Sequence, residues 1–503
     1  MGTRQWVVRT FALSAVALGL LWPAFWNGGP FFFPDTRTYL RGADTAMTRL
    51  THRPTLWTAS AEAAPNSGVQ QPAVVDERAL HNQSEARTRT VEEISKKGII
   101  LGRSPFYGLL LYAGAVTGGF WLTLALQAAA VLLAVWLLLR ALALPVWPNL
   151  ALAGLALCVV PSSSFFVCYL MPDVFAGIGL LACAVLLAKA QLTRVEYALW
   201  FALLAAAMLF HDSCTLTGAV LLALAVAWNL LRRSWTNWRG LCALVLACAV
   251  AWAGQAVVAA GIQHASGRPA LRLPFVSARL IADGPGTNYL RATCPASGFV
   301  LCDYVQEFPL VDAEFLFGTE PGRSVFEVAP YEKRLAISRE QLRFILAVLR
   351  YDPVGVVKSG LRNAAAEFCD LRLIAFQYDP GMKQTMDRTF PLPVLGGVQA
   401  SQAYRGTLPI AALTALMYAL VIASLGLLAA MLWRRRKAGA VQSALGAIAA
   451  WALVGVAVNA SICGAISTVD PRYQVRVVWV LPLLAVAAVM ERLRAGKTSS
   501  PAD

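Results

Sequence analysis

Runs of mostly apolar residues, each close to the roughly 20 needed to carry a helix across a hydrocarbon core, recur along this chain. They fall at 6–26, 119–140, 145–162, 172–190, 195–211, 214–231, 240–262, 408–433, 441–463 and 475–491. That repetition excludes a soluble enzyme tethered by one anchor. It predicts an all-α polytopic membrane protein of about ten transmembrane helices. Composition agrees: of 503 residues, 58% are apolar and only 14% charged, too few charges for a soluble chain of this size. The net charge of +15 would suggest nucleic acid as a partner of a soluble protein. Here the positions of the cations matter more than their sum, and the expected partner is the bilayer, with no nucleic acid.

The first run follows Arg4 and ends in bulky Trp22, Phe25 and Trp26. No small-residue cleavage site is present there, so it reads as a retained span rather than a secretory signal. Residues 105–118 are also apolar, but the glycines from Gly114 to Gly119 interrupt them. A continuous span from 105 to 140 would overshoot the bilayer, so this piece reads as an interfacial or re-entrant helix ahead of the second span.

Lys and Arg in short loops set orientation. With the N-terminus inside, Arg140, Lys189 to Glu196, Arg232 to Arg239, Arg434 to Lys437 and the C-terminal tail all fall on the cytoplasmic side. The opposite short loops, beginning at Pro161, His211 and Ser467, together hold one Arg. Both termini are then cytoplasmic and the protein sits in a plasma (inner) membrane. Two long segments, 27–118 and 263–407, lie on the periplasmic or extracellular face. The chain divides into an N-terminal transmembrane module (1–263, including the outer loop 27–118), an outer, mostly helical loop domain (264–407) and C-terminal spans with a cytoplasmic tail (408–503).

Residues 60–97 are rich in Ala, Gln, Ser, Glu and Arg and read as a solvated linker or weakly helical insertion. In 338–369, the spacing of Leu342, Ile345, Leu349, Val356, Leu361 and Phe368 predicts two amphipathic helices divided at Asp352 and Pro353, packing on the outer membrane surface. Of ten cysteines most lie within spans as small apolar residues, whereas Cys294 and Cys302 form a close pair in the outer loop. An oxidising compartment would bridge them; two independent thiols are the alternative. No cysteine or histidine spacing typical of zinc occurs.

Ionisable residues at the outer ends of spans carry the functional information. They are Asp35, Arg37 and Tyr39 after the first span, Arg103, Asp173, His211 with Asp212, and Asp470 with Arg472 and Tyr473. Asp35 can serve as a general base, as a ligand to a hard cation, or simply as a helix N-cap. Asp173 sits where a capping acid would, its helix dipole favouring an anion, and capping outweighs chemistry unless Asp35 is its neighbour. His211 lies at a turn between spans and reads either as an interfacial residue or as a functional one. Arg472 and Arg103 suit a lipid phosphate through the planar guanidinium fork, or ordinary snorkelling to headgroups.

Taken together, ProAspThrArgThrTyrLeu at 34–40, ArgSerProPheTyr at 103–107, MetProAsp at 171–173 and AspProArgTyr at 470–473 resemble, in order and spacing, the GT-C superfamily of membrane glycosyltransferases. Protein O-mannosyltransferases and lipid A aminoarabinose transferases are members. The chain departs from that pattern in having one acid in the first loop rather than an Asp–Glu pair, and ArgSerProPheTyr in place of Arg–x–Pro–Gly–Tyr. The resemblance covers 1–263 and the last span; in 264–407 only the paired amphipathic helices match. It implies a polyprenyl-phosphate sugar donor, a glycan, lipid or protein acceptor, and inverting transfer on the outer face. Asp35 would be the general base, and Asp173 would position the acceptor or a divalent cation. Arg472, Arg103 and His211 would bind the donor phosphate, and Tyr39, Arg37, Asp212 and Tyr473 would position substrate. A transporter or flippase of lipid-linked saccharides is the rival class, disfavoured by the scarcity of charges within the spans.

Overall fold

The computed structural model describes residues 3–51, 55–57, 98–188, 191–233, 237–318, 320–437 and 443–498; the insertion expected at 60–97 lies outside them. The described residues are mostly helical. In order come α1 (Thr3–Leu20), α2 (Pro34–Thr51), α3 (Pro105–Val116), α4 (Trp121–Ala141), α5 (Val146–Val159), α6 (Pro161–Val167), α7 (Asp173–Leu187) and α8 (Arg194–Phe210). Then follow α9 (Asp212–Arg232), α10 (Trp238–Ser266), α11 (Tyr331–Tyr351), α12 (Pro353–Cys369), α13 (Ile410–Lys437), α14 (Ala444–Ile466), α15 (Pro471–Val478) and α16 (Val480–Thr498). Short helices fill the outer segment around α11 and α12. The only extended pairings among the described residues are single bridges, Phe31 with Tyr169 and Ile100 with Leu271.

Each of the ten apolar runs becomes helical, but they are not equally fit to cross a membrane. Six helices have the length and apolar character: α4, α9, α10, α13, α14 and the α15–α16 pair; α5 and α6 count as a seventh only if their 88° bend is one broken span. Of the remaining three, α7 has 15 residues and α8 has 17, and the apolar part of α1 is Val8–Leu20. A 15-residue helix rises about 22 Å, less than the hydrocarbon thickness. Every residue of α7 is buried, so it is sheathed by protein on all sides. α8 opens with a capping box, Thr193 and Glu196 each bonding the other's backbone, which puts a carboxylate into its first turn.

The break expected near Gly114 to Gly119 falls at 117–120, where Gly118, Gly119 and Phe120 all take positive φ, so α3 and α4 are separate helices. The outer segment has its own apolar core, formed by residues between Leu271 and Val348, among them Ile281, Phe315, Phe326 and Phe344. Cys294 and Cys302 are joined by a disulfide within it. α11 and α12 part at Asp352, whose carboxylate accepts the Gly355 N–H at 2.8 Å; Pro353 starts the second helix, its missing N–H costing nothing in a first turn. α12 buries Ser359, Asn363 and Glu367 while Val354, Val357, Leu361 and Phe368 are exposed. Its inner face is small and polar and its outer face apolar.

Candidate functional site

The first-loop acid and the acid of α7 are brought together by backbone pairing. Phe31 N–H donates to Cys168 O and Leu170 N–H donates to Phe31 O, both at 2.9 Å. Thr36 adds a bond from Oγ1 to Leu170 O at 3.0 Å. These bonds lash the segment before α2 to the segment before α7, so Asp35 and Asp173, each in a first helical turn, start from adjoining strands of chain. Tyr39 lies one turn beyond Asp35 on the same face of α2 and is buried. α3 can approach this face because Gly108 has no side chain: a Cβ there would lie 2.3 Å from Tyr39 O.

Arg103, just ahead of α3, pairs with Asp35, Nη2 to Oδ2 at 2.6 Å; both are about one-quarter exposed. Ser104 caps α3 by accepting the Phe106 N–H at 3.2 Å, and its hydroxyl donates to Leu209 O at 2.5 Å, which ties Arg103 to the end of α8. There the chain turns through His211, whose Nδ1 accepts the Ser213 N–H at 3.2 Å and so caps α9.

The centre of the cluster is Arg476. It follows Arg472 by four residues on α15, so both point from one helical face. Arg476 is fully buried, with Nη1 3.3 Å from Asp173 Oδ1, Nη2 donating to Ser213 Oγ at 2.8 Å and Nη1 3.4 Å from His211 Nε2. Arg472 Nε lies 3.8 Å from the same Asp173 oxygen, and its guanidinium stands over the rings of Phe33 at 4.5 Å and Tyr473 at 5.0 Å. Two guanidinium groups thus share one carboxylate oxygen. Arg472 Nε and Nη1, Arg476 Nε and Arg103 Nε are buried with no hydrogen-bond acceptor, and Asp173 Oδ2 has no donor.

The backbone of α15 is fixed from two sides. Asp470 caps it by accepting the Arg472 N–H at 3.0 Å, and its own N–H donates to Glu367 Oε2 of α12 at 2.9 Å. Asn459 of α14 donates to Tyr473 O at 2.8 Å. Glu367 is fully buried, and burial pushes its carboxyl up to about 8. The Asp470 N–H opposes that rise, Asp470 and Asp370 add to it, and Arg476 opposes it.

A cavity of about 200 Å³ opens beside this cluster. Its polar side carries Tyr39, Arg103, His211, Asp212, Ser213, Gln255, Tyr473 and Arg476; Phe210, Leu216, Phe275, Ile462 and Ile466 form the apolar side. Asp212 accepts from Gln255 Nε2 at 2.8 Å. Asp35, Asp173 and Arg472 lie behind this lining rather than in it. Arg37, two residues past Asp35 and so about 200° round the helix, also stands apart from it; burial and the neighbouring Arg41 lower its pKa to about 10, and it remains a cation at neutral pH. Among the described residues no group of three or more His, Cys, Asp or Glu side chains could hold a metal ion. Asp173 faces two guanidiniums that would repel a cation.

Arg476, Ser213, Gln255 and Glu367 join the site without having been singled out in the sequence. For Arg476 a signal existed: in ArgTyrGlnValArg the two arginines are one turn apart. For Glu367 none did, because its partner is 103 residues away. No family model and no curated protein matches the sequence, and no solved structure matches the fold.

Proposed function

We propose that the protein is a GT-C-like inverting glycosyltransferase with about ten membrane-crossing or membrane-embedded helices. Its N-terminus lies inside, and it acts on a polyprenyl-phosphate sugar at the outer face. The observation that carries this reading is the convergence of Asp35, Arg103, Asp173, His211, Arg472 and Arg476 at one end of the helices, next to a cavity with one polar and one apolar side.

Buried guanidinium groups with unused donors are costly unless they meet an anion, and a donor's phosphodiester is an anion with the bidentate geometry arginine favours. In this mechanism the donor phosphate draws the Arg103 guanidinium away from Asp35. The freed carboxylate takes the proton of the acceptor hydroxyl. The hydroxyl oxygen bonds to the anomeric carbon from the face opposite the phosphate, the sugar–phosphate C–O bond breaks, and its electron pair leaves with the lipid phosphate. Arg472 and Arg476 stabilise the charge that grows on that phosphate, an interaction worth most in a water-poor site. Asp173 positions the two arginines; Tyr39 and Tyr473 frame the sugar; Asp212 with Gln255 contacts the acceptor.

The test is release of polyprenyl phosphate from a radiolabelled polyprenyl-phosphate sugar by detergent-purified protein. Asp35→Asn should reduce turnover by about a hundredfold or more with unchanged thermal stability. Full activity in the variant would remove the base assignment. No donor consumption by the wild type with any acceptor class would favour the transporter, which cannot turn over donor without a membrane to cross.

A further inference from the structure

A second concavity lies at the other end of α8, about 24 Å along that helix from His211. It is an open groove of about 460 Å³ between the starts of α8 and α10, walled by Arg194, Tyr197, Phe201, Trp238, Arg239 and Leu246, among others. At its head stand two arginines with no carboxylate partner among the described residues. The acid nearest in sequence is already used: Glu196 is buried and takes Arg140 Nε at 2.8 Å and the Thr193 N–H at 2.8 Å. Arg239 stands over the Trp238 ring at 5.7 Å, and Trp238 itself is 59% exposed. Farther along α10 the wall turns apolar, through Cys242, Ala243 and Leu246, and Arg239 and Leu246 are separated by about 10 Å of helix rise.

We propose that this groove binds one anionic glycerophospholipid of the leaflet opposite the cavity. Its phosphate sits between Arg194 and Arg239, its glycerol region lies against Trp238 and Tyr197, and an acyl chain runs along Cys242, Ala243 and Leu246. Two unpaired cations favour a headgroup with net negative charge over a zwitterionic one, whose ammonium they repel. The groove continues down a helix long and apolar enough to span, so the occupant has a hydrocarbon tail, and an indole with a phenol at the head matches the headgroup depth. The proposal is independent of the glycosyl-transfer reading, since none of its residues belongs to that site.

Cys242 lines the groove and is exposed, which makes it a reporter. Full-length protein in detergent is alkylated with N-ethylmaleimide while phosphatidylglycerol or phosphatidylcholine of matched chains is titrated in. Peptide mass spectrometry then follows Cys242, with exposed Cys369 on α12 as the internal reference. Phosphatidylglycerol should slow Cys242 several-fold and leave Cys369 unchanged, and phosphatidylcholine should do much less. In the Arg194→Gln, Arg239→Gln double variant the concentration for half-protection should rise by roughly tenfold or more. The Cys369 rate and melting temperature of that variant should match the wild type. Equal protection by both lipids, protection that survives in the double variant, or equal protection by inorganic phosphate alone would each overturn the proposal.

Discussion

Glu367 is a buried carboxyl with one oxygen bonded to the Asp470 N–H and the other without a partner. Its pKa of about 8 in the fold, against about 4.3 in an unfolded chain, means that the native state holds a proton the unfolded state has lost between those values. The contribution of this carboxyl to stability is therefore full below about pH 4, falls as pH rises towards 8 and is lost above it, by about 1.4 kcal/mol per pH unit while the difference lasts. Glu367→Gln, which imitates the protonated form, should flatten that fall, as measured by melting temperature in detergent across pH 5–8. Arg476 allows a second prediction at this scale. Its fork reaches Asp173, Ser213 and His211 at once, which a lysine ammonium on a single stem cannot do. Arg476→Lys should cost about 2–3 kcal/mol of stability and most of the transfer activity. A variant with wild-type melting and wild-type donor turnover would show that a point charge is enough there.

The contact of α12 with α14 is made by small and polar residues. Gly464 has so little room that a Cβ would lie 2.5 Å from Asn363 O. Asn363 and Arg362 in turn reach Asp283 at 2.7 and 3.4 Å, tying the outer helical unit to the helix that braces α15. Gly464→Leu should push α12 off α14 and lower stability by about 1–3 kcal/mol. It should also weaken transfer, because Glu367 would lose the Asp470 N–H; melting and turnover measured together check it. The sequence spacing marked α11 and α12 as amphipathic helices divided at Asp352, and they are. In α12 the exposed stripe is the apolar one, with Val354, Val357, Leu361 and Phe368, whereas α11 buries Ile337, Phe344 and Val348 and also exposes Leu342 and Leu349. Periodicity reports that a helix has two faces, but which face meets protein depends on whether the other meets water or lipid. α7 shows the converse: its apolar run reads as a membrane span, yet every residue of the helix is buried within the protein. A Cβ on Gly177 would lie 2.2 Å from Trp479 Nε1 and 2.9 Å from Arg476 O, so that glycine lets the end of α15 close over it.

At the scale of the molecule the described residues form two apolar cores, one among the long helices and one in the outer unit between Leu271 and Val348. The Cys294–Cys302 bridge belongs to the second. Replacing both cysteines by serine should cost that unit about 2–3 kcal/mol, seen as faster proteolysis within 264–407 at unchanged melting of the long helices. Equal proteolysis of variant and wild type would show the bridge to be dispensable. Helical class, a chain rich in membrane-compatible runs, the close cysteine pair and the acids and arginines clustered at helix ends were all legible in the sequence, because hydropathy, helix-start chemistry and charge are local. The number of helices long enough to span was not, since a helix buried on every side is freed from the bilayer's thickness. Nor was the membership of the site. Asp35 comes beside the start of α7 because Phe31 pairs with Tyr169, and Arg476 reaches Asp173 from a helix whose start is held by the bond from the Asp470 N–H to Glu367; both ties join segments more than a hundred residues apart. Such contacts arise from how helices pack against one another, which no single stretch of sequence encodes.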